Sequence, residues 1–156
     1  MVAQKNPHAA QQYLKTRVMT ATPEQLQIML YDGAIRFCEQ TRLGLETKNY
    51  EQVYTNITKV QNIITELLGA LKPNVYPELC EKLSAVYSYV YKRLIEVGTK
   101  HNAEALEEAT KLLRYQRDTW VMVLDQVSKE KAGKAVAGMN IPGPDPRMEA
   151  SISMRA

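Results

Sequence analysis

The sequence predicts an all-α protein: an antiparallel up-and-down four-helix bundle with a flexible N-terminal arm and a flexible C-terminal tail. Three observations predict it. Apolar residues recur at alternating spacings of three and four through most of the chain, a period that only a helix places on one face. No segment shows strand alternation bounded by turn residues. The breaks between periodic segments are short, so consecutive helices must turn back on one another.

The first bundle helix opens at Thr22-Pro23-Glu24-Gln25 and runs to about Lys48. Thr22 is suited to accept from free backbone N–H groups, Pro23 suits the first helical position, and Gln25 completes a capping box. In the second, Val53, Ile57, Val60, Ile64, Leu67 and Leu71 form a heptad seam that ends at Lys72-Pro73-Asn74. The third follows Pro77 with Leu79, Leu83, Val86, Val90, Leu94 and Val97. Gly98 to Asn102 supplies a turn, with Asn102 as the next N-cap, and the fourth continues through Leu106, Ala109, Leu113, Gln116, Trp120, Val123 and Val127, fading after Ser128. This divides the chain into an arm at 1–21, a bundle at 22–128 and a disordered tail at 129–156, where Ile141-Pro142-Gly143-Pro144-Asp145-Pro146 favours extended backbone. A short helix at Pro7 to Lys15 falls below the length at which isolated helices are stable.

With 156 residues, the chain is the size of one domain. The formal charge is +3, but residues 129–156 hold five basic and three acidic residues, which leaves the first 128 nearly neutral. No basic stripe stands out of the kind that releases phosphate counterions, so nucleic-acid binding is not expected. No run approaches the roughly 18 apolar residues of a membrane span, and no leader-like apolar stretch opens the chain, so the expectation is a cytosolic protein with no membrane insertion. Cys38 and Cys80 lie inside apolar helical patterns without CxxC spacing, which reads as two reduced, buried thiols.

The chemistry a bundle can host is missing its residues. A di-iron carboxylate bundle needs Glu-x-x-His pairs, but Gly98 stands three before His101 and Lys5 three before His8. His101 falls at a helix junction and His8 in the arm, neither suited to phosphotransfer. No Gly-rich phosphate loop, GxSxG or Cys-His pair at ligand spacing occurs. Glu104, Glu107 and Glu108 suit a solvated first turn that favours the helix dipole. No enzyme activity, metal or cofactor is expected.

Apolar surface is in excess instead. The first bundle helix has one face in Leu26, Met29, Leu30, Gly33, Phe37 and Leu45, and a second stripe in Ile28, Tyr31, Ile35 and Cys38. Tyr54 in the second helix and Tyr87, Tyr91 and Ile95 in the third also fall beside the seams. Any single tyrosine suits a boundary position, its ring on a core edge and its hydroxyl in water. Together, Ile28, Tyr31, Ile35, Tyr54, Tyr87, Tyr91 and Ile95 are the expected lining of a groove for an apolar peptide or helix. Pairing of these stripes with a second copy, as a homodimer or structural assembly, is the alternative use.

The residues then match something specific. Thr20-Ala21-Thr22-Pro23-Glu24-Gln25-Leu26, Ile28-Met29-Leu30 and Tyr31-Asp32-Gly33-Ala34-Ile35-Arg36-Phe37 resemble the FliS family of flagellar export chaperones, whose helix opens T-A-S-P-E-E-L and continues M-L-Y-D/E-G-A-x-R-F. The resemblance extends through Val60 to Leu67, through Arg93-Leu94-Ile95-Glu96, and to Arg117-Asp118-Thr119-Trp120, covering Tyr13 to about Val127. It implies a cytosolic, non-catalytic bundle. Such a protein binds the C-terminal segment of flagellin, prevents premature polymerisation and assists delivery to the flagellar type III export gate. It also implies that the arm, through Tyr13 and Leu14, competes for the groove. As extended chain, the ten residues from Tyr13 to Pro23 reach about 33 Å, comparable to the roughly 37 Å of the first bundle helix.

Overall fold

The structure, a computed structural model, describes residues 7–138. Its elements are five helices: α1 Pro7–Thr20, α2 Pro23–Glu46, α3 Tyr50–Gly69, α4 Pro77–Lys100 and α5 Ala103–Gly138. Among the described residues there is no strand, so the all-α expectation holds. The chain forms two compact units, the first ending at Val121 and the second beginning at Met122.

In the first unit, α2 to α4 and the start of α5 form the bundle. The expected capping box sets the start of α2. Thr22 Oγ1 accepts from the Gln25 backbone N–H at 3.2 Å, and Gln25 Oε1 accepts from the Thr22 N–H at 3.0 Å. Neighbouring helices run antiparallel. Gly44 of α2 lies against Val53 near the start of α3, and Gly33 against Ile63 further along. Gly98 near the end of α4 meets Ile57 and Tyr54 near the start of α3. Arg114 and Arg117 of α5 reach Glu39 and Asp32 of α2. The α2–α3 and α3–α4 backbones approach most closely. Gly44 shows why: a Cβ there would stand 2.9 Å from a Val53 methyl and 3.1 Å from the Asn49 carbonyl.

The core is Tyr31, Ala34 and Cys38 of α2, then Val53, Ile57, Val60, Ile64 and Leu67 of α3. It continues with Leu83, Tyr87, Val90, Leu94 and Val97 of α4 and Ala105, Leu106, Ala109 and Leu113 of α5. The α3 seam is the expected one up to Leu67, while Leu71 lies past the helix end and is half-buried. In α4 the phase is shifted. Cys80 and Tyr87 point inward, whereas Leu79 is exposed and Val86 only half-buried. In α5, Gln116 and Trp120 are half-buried, and Val123, in the second unit, is exposed. Cys38 and Cys80 are buried and unlinked.

Three expectations about ends are corrected. The arm is helical from Pro7 to Thr20, although it buries none of its side chains. The α4–α5 turn is made by His101, in left-handed conformation at φ 51°, and not by Gly98, which stays helical; Asn102 caps α5 as expected, accepting from the Ala105 N–H at 3.2 Å. In the second unit α5 continues past Ser128 to Gly138, with Lys129 bonded to Asp125 one turn back. The proline-rich stretch lies outside the described residues.

Candidate functional site

The expected groove residues fall into three places. Tyr31 and Tyr87 are completely buried, 0% exposed, and their hydroxyls bond to each other across the bundle. They are core residues, so a surface groove made with them is ruled out. Each phenol serves as the other's polar partner, which is how this core tolerates two tyrosines. The side chains of Gln27 and Trp120 complete the polar cluster. Burial, and then the bond from Tyr87, push the Tyr31 phenol well above its ordinary value; burial likewise raises Tyr87. Burial also pushes the core thiol of Cys38 up to about 11 from an ordinary 9.0.

Tyr54, Tyr91 and Ile95 lie together on the outer seam between α3 and α4. On α4, the residues Glu81, Ser84, Ser88, Tyr91 and Ile95 follow one another at spacings of three and four, on the side that Gly98 turns toward α3. On α3, Tyr54, Thr58, Gln61, Thr65 and Leu68 do the same, with Tyr54 beside Gly98 and Leu68 beside Ser84. Tyr54 is 49% and Ile95 45% exposed, while Tyr91 packs partly on the core. At one end of this seam Leu68, Leu71, Pro73, Pro77, Cys80, Glu81 and Ser84 line a cavity of about 440 Å³. At the other, Tyr50 stacks on His101 at 3.9 Å, and Tyr54 hydrogen-bonds His101 Nε2 at 3.3 Å.

Ile28 and Ile35 lie elsewhere, on the α2–α5 seam. Their stripe on α2 continues as Asp32, Glu39, Arg42 and Glu46, and faces Glu107, Thr110, Arg114 and Arg117 of α5. Two ion pairs cross here, Arg117–Asp32 at 2.6 Å and Arg114–Glu39 at 2.8 Å. Past them, Leu45, Ala103, Leu106 and Thr110 form the lining of a cavity of about 460 Å³ with a charged rim. Ile28 is half-buried, and Ile35 packs partly on the core.

The third outer seam, α4–α5, is closed by polar groups. Tyr89 donates to Glu108, and Arg93 pairs with Glu108 and Glu96. The Tyr89 bond raises its own phenol and lowers the Glu108 carboxyl.

At the bundle end where α2 begins, a smaller cavity of about 160 Å³ lies between Gln27, Leu71, Tyr76, Leu79, Leu83 and Trp120. Val75, Tyr76 and Leu79 are exposed around it. Tyr13 and Leu14, the expected gate residues, are exposed on α1, as are Val18 and Met19. The sequence reading missed Ser84 and the seam cavity. Their signal was available as the three-and-four spacing of uncharged residues on α3 and α4, which reads as solvated surface when the helices are considered singly.

Among the described residues, no group of three or more His, Cys, Asp or Glu is placed to hold a metal ion. Nor is any described helix long and apolar enough to cross a membrane. The family profile described as flagellar protein FliS matches residues 5–127. The flagellar secretion chaperone FliS of Bacillus subtilis (strain 168) is 33% identical over 85% of this chain and 96% of its own length. That of Escherichia coli (strain K12) is 32% identical over 77% of this chain and 90% of its own. A crystal structure of a flagellar chaperone from bacteria superposes with a TM-score of 0.63 at 19% identity. It covers 76% of this chain and 97% of that one, a likeness of fold.

Proposed function

Because the chain belongs to the FliS family of flagellar secretion chaperones, we propose that it is a cytosolic holdase that binds the C-terminal segment of flagellin, delays its polymerisation and assists its delivery to the export gate. One observation carries this: solvent-facing apolar side chains, Tyr54 and Ile95, sit on a seam of an otherwise well-packed bundle. Such a surface binds an apolar segment by mass action and requires neither a catalytic group nor a cofactor. The work is assigned to the bundle of residues 22–128, with 1–21 as the arm and 129–156 as an appended tail.

The groove is better described as two seams than one. Tyr54, Tyr91 and Ile95 belong to the α3–α4 seam, Ile28 and Ile35 to the α2–α5 seam. A client segment of about forty residues would be about 60 Å long as a helix, enough to touch both. The gate of Tyr13 and Leu14 acts over a shorter range than extended chain allows. As helix, the ten residues from Tyr13 to Pro23 span about 15 Å, and Ile28 and Ile35 lie about 7 and 18 Å along α2 from Pro23. Folding α1 back would therefore bring Tyr13 and Leu14 beside the first half of α2.

Co-purification with flagellin that has or lacks its last forty or so residues tests this reading. Complex formation that depends on that segment is expected, with Ile35→Asp and Tyr91→Asp weakening it while circular dichroism stays near wild type. Equal retention of both flagellins would sink it. A homodimer is the competing occupant of the seams, and light scattering of the chain with and without flagellin separates the two.

A further inference from the structure

We propose that the outer face of α2, where it meets α3, docks an acidic helix of a second protein, and that Arg36 and Lys59 are the groups that recognise its carboxylates. This surface lies on neither of the two seams proposed for flagellin, so the inference adds a partner and does not depend on the chaperone reading. Two observations carry it. The first is a pair of cations on one ring. The Arg36 guanidinium lies 5.3 Å and the Lys59 ammonium 5.1 Å from the centre of the half-buried Phe37 ring. Like charges from two helices therefore stand no more than about 10 Å apart, with attraction to the ring offsetting part of their repulsion. The second is the lack of a counter-charge. Among the described residues neither cation has a carboxylate at ion-pair distance, whereas Arg42, Arg93, Arg114 and Arg117 each hold one. Asp32, one turn before Arg36, is taken by Arg117 at 2.6 Å.

The form of the partner follows from the face around these charges. Met29, Gly33, Arg36, Gln40 and Leu43 follow one another on α2 at spacings of four and three, with Met29 half-buried and Leu43 44% exposed. From Met29 to Leu43 is about 21 Å, the length of about four helical turns. A partner helix along this stripe would meet an apolar side chain at each end and the cations in the middle. Gln40 makes no demand on it, because the Gln52 amide donates to its backbone carbonyl at 3.1 Å and to its side chain at 3.3 Å. Two carboxylates one turn apart on the partner have Cβ atoms about 5–6 Å apart, within the span of the two cations. They repel one another while the partner is free, and docking on Arg36 and Lys59 relieves that repulsion with charge-assisted bonds. Two cations are too few to track a phosphate backbone, which favours a protein carboxylate over a nucleic acid.

Two-dimensional NMR titration of the isotope-labelled full chain tests this. The probe is a blocked, alanine-based helical peptide of about sixteen residues, with Glu at two central positions four apart and Leu near each end. Saturable shifts centred on Arg36, Gln40 and Lys59 are expected, and the same peptide with Gln in place of both Glu should bind at least about tenfold more weakly. Added salt should weaken the Glu peptide. Lys59 and Arg36 are exposed, so Lys59→Glu and Arg36→Gln should keep the fold while each weakening binding by about tenfold; Lys82→Glu, on α4, should leave it within about twofold. Flagellin retention by Lys59→Glu should match the wild type. No binding of the Glu peptide, equal binding of the Glu and Gln peptides, or unchanged binding in Lys59→Glu overturns the proposal. A thymidine oligonucleotide that shifts the same amides at lower concentration assigns the patch to nucleic acid instead, and loss of flagellin from Lys59→Glu assigns it to the client; either result overturns the second partner.

Discussion

Tyr31 and Tyr87 illustrate how little a residue's type says about its role. Both were legible as apolar surplus beside a seam, and both turn out to lie at the bundle centre. Adjacent stripes on a helix are only about 100° apart, and the inward arc of α2, through Tyr31, Ala34, Cys38 and Thr41, lies between the two faces that the sequence suggests. What decides the matter is the hydroxyl pair, formed between residues 56 apart in the chain, which no local pattern encodes. Tyr31→Phe leaves the Tyr87 hydroxyl short of a partner and should cost about 1–3 kcal/mol in urea unfolding, whereas the double change to Phe should recover part of that loss. An equal loss in single and double variants would show that the bond carries no weight. Alkaline pH provides a second check. Cys38, Tyr31 and Tyr87 are neutral acids whose folded values are raised, so their contribution is complete below the ordinary thiol value of 9.0. For Cys38 it is lost as pH climbs through the folded value of about 11. The urea midpoint should be flat across neutral pH and fall above pH 9, with Cys38→Ala delaying the onset until the tyrosines titrate.

At the scale of the element, the helices with caps and strict periodicity were legible: α2 from its capping box and α3 from its heptad seam. Errors gathered at ends and phases. The buried face of α4, Cys80, Leu83, Tyr87, Val90, Leu94 and Val97, keeps a strict alternation of three and four, so Cys80 and Tyr87 stand inside where the more apolar Leu79 and Val86 were expected. The α1 helix was read as a tail because isolated helices of this length are marginal, and it indeed buries nothing. Removing residues 1–20 should therefore move the melting temperature by no more than a few degrees; a larger loss would mean that α1 packs on the bundle in solution. Gly44 makes the opposite prediction. The methyl of Gly44→Ala would meet the Asn49 carbonyl and the Val53 side chain. The α2–α3 hairpin must then spread, at about 1–3 kcal/mol, although Ala ordinarily strengthens a helix. A neutral or stabilising result in thermal melts would show that the hairpin yields.

For the whole molecule, the architecture was legible because each helix announces its own apolar face. The site was not, because a seam is a property of two helices at once. The stripe from Tyr54 to Leu68 and the stripe from Glu81 to Ile95 acquire meaning only when antiparallel packing sets them side by side. The α3–α4 and α2–α5 seams then differ in kind, one charge-poor and one crossed by exposed ion pairs. Those pairs should matter little to stability. Arg117→Ala should cost under about 1 kcal/mol, and its effect should shrink further in high salt. A larger loss would mean that the Asp32 pair holds α5 onto α2.

Trp120, the chain's one tryptophan, lines the cavity at the end of the bundle where α2 begins and where α1 is tethered. Its indole can be excited apart from the nine tyrosines, so the molecule carries a built-in optical clock at that end. Emission there reports the wetting of the bundle end, so any change at that cavity can be followed without attaching a dye.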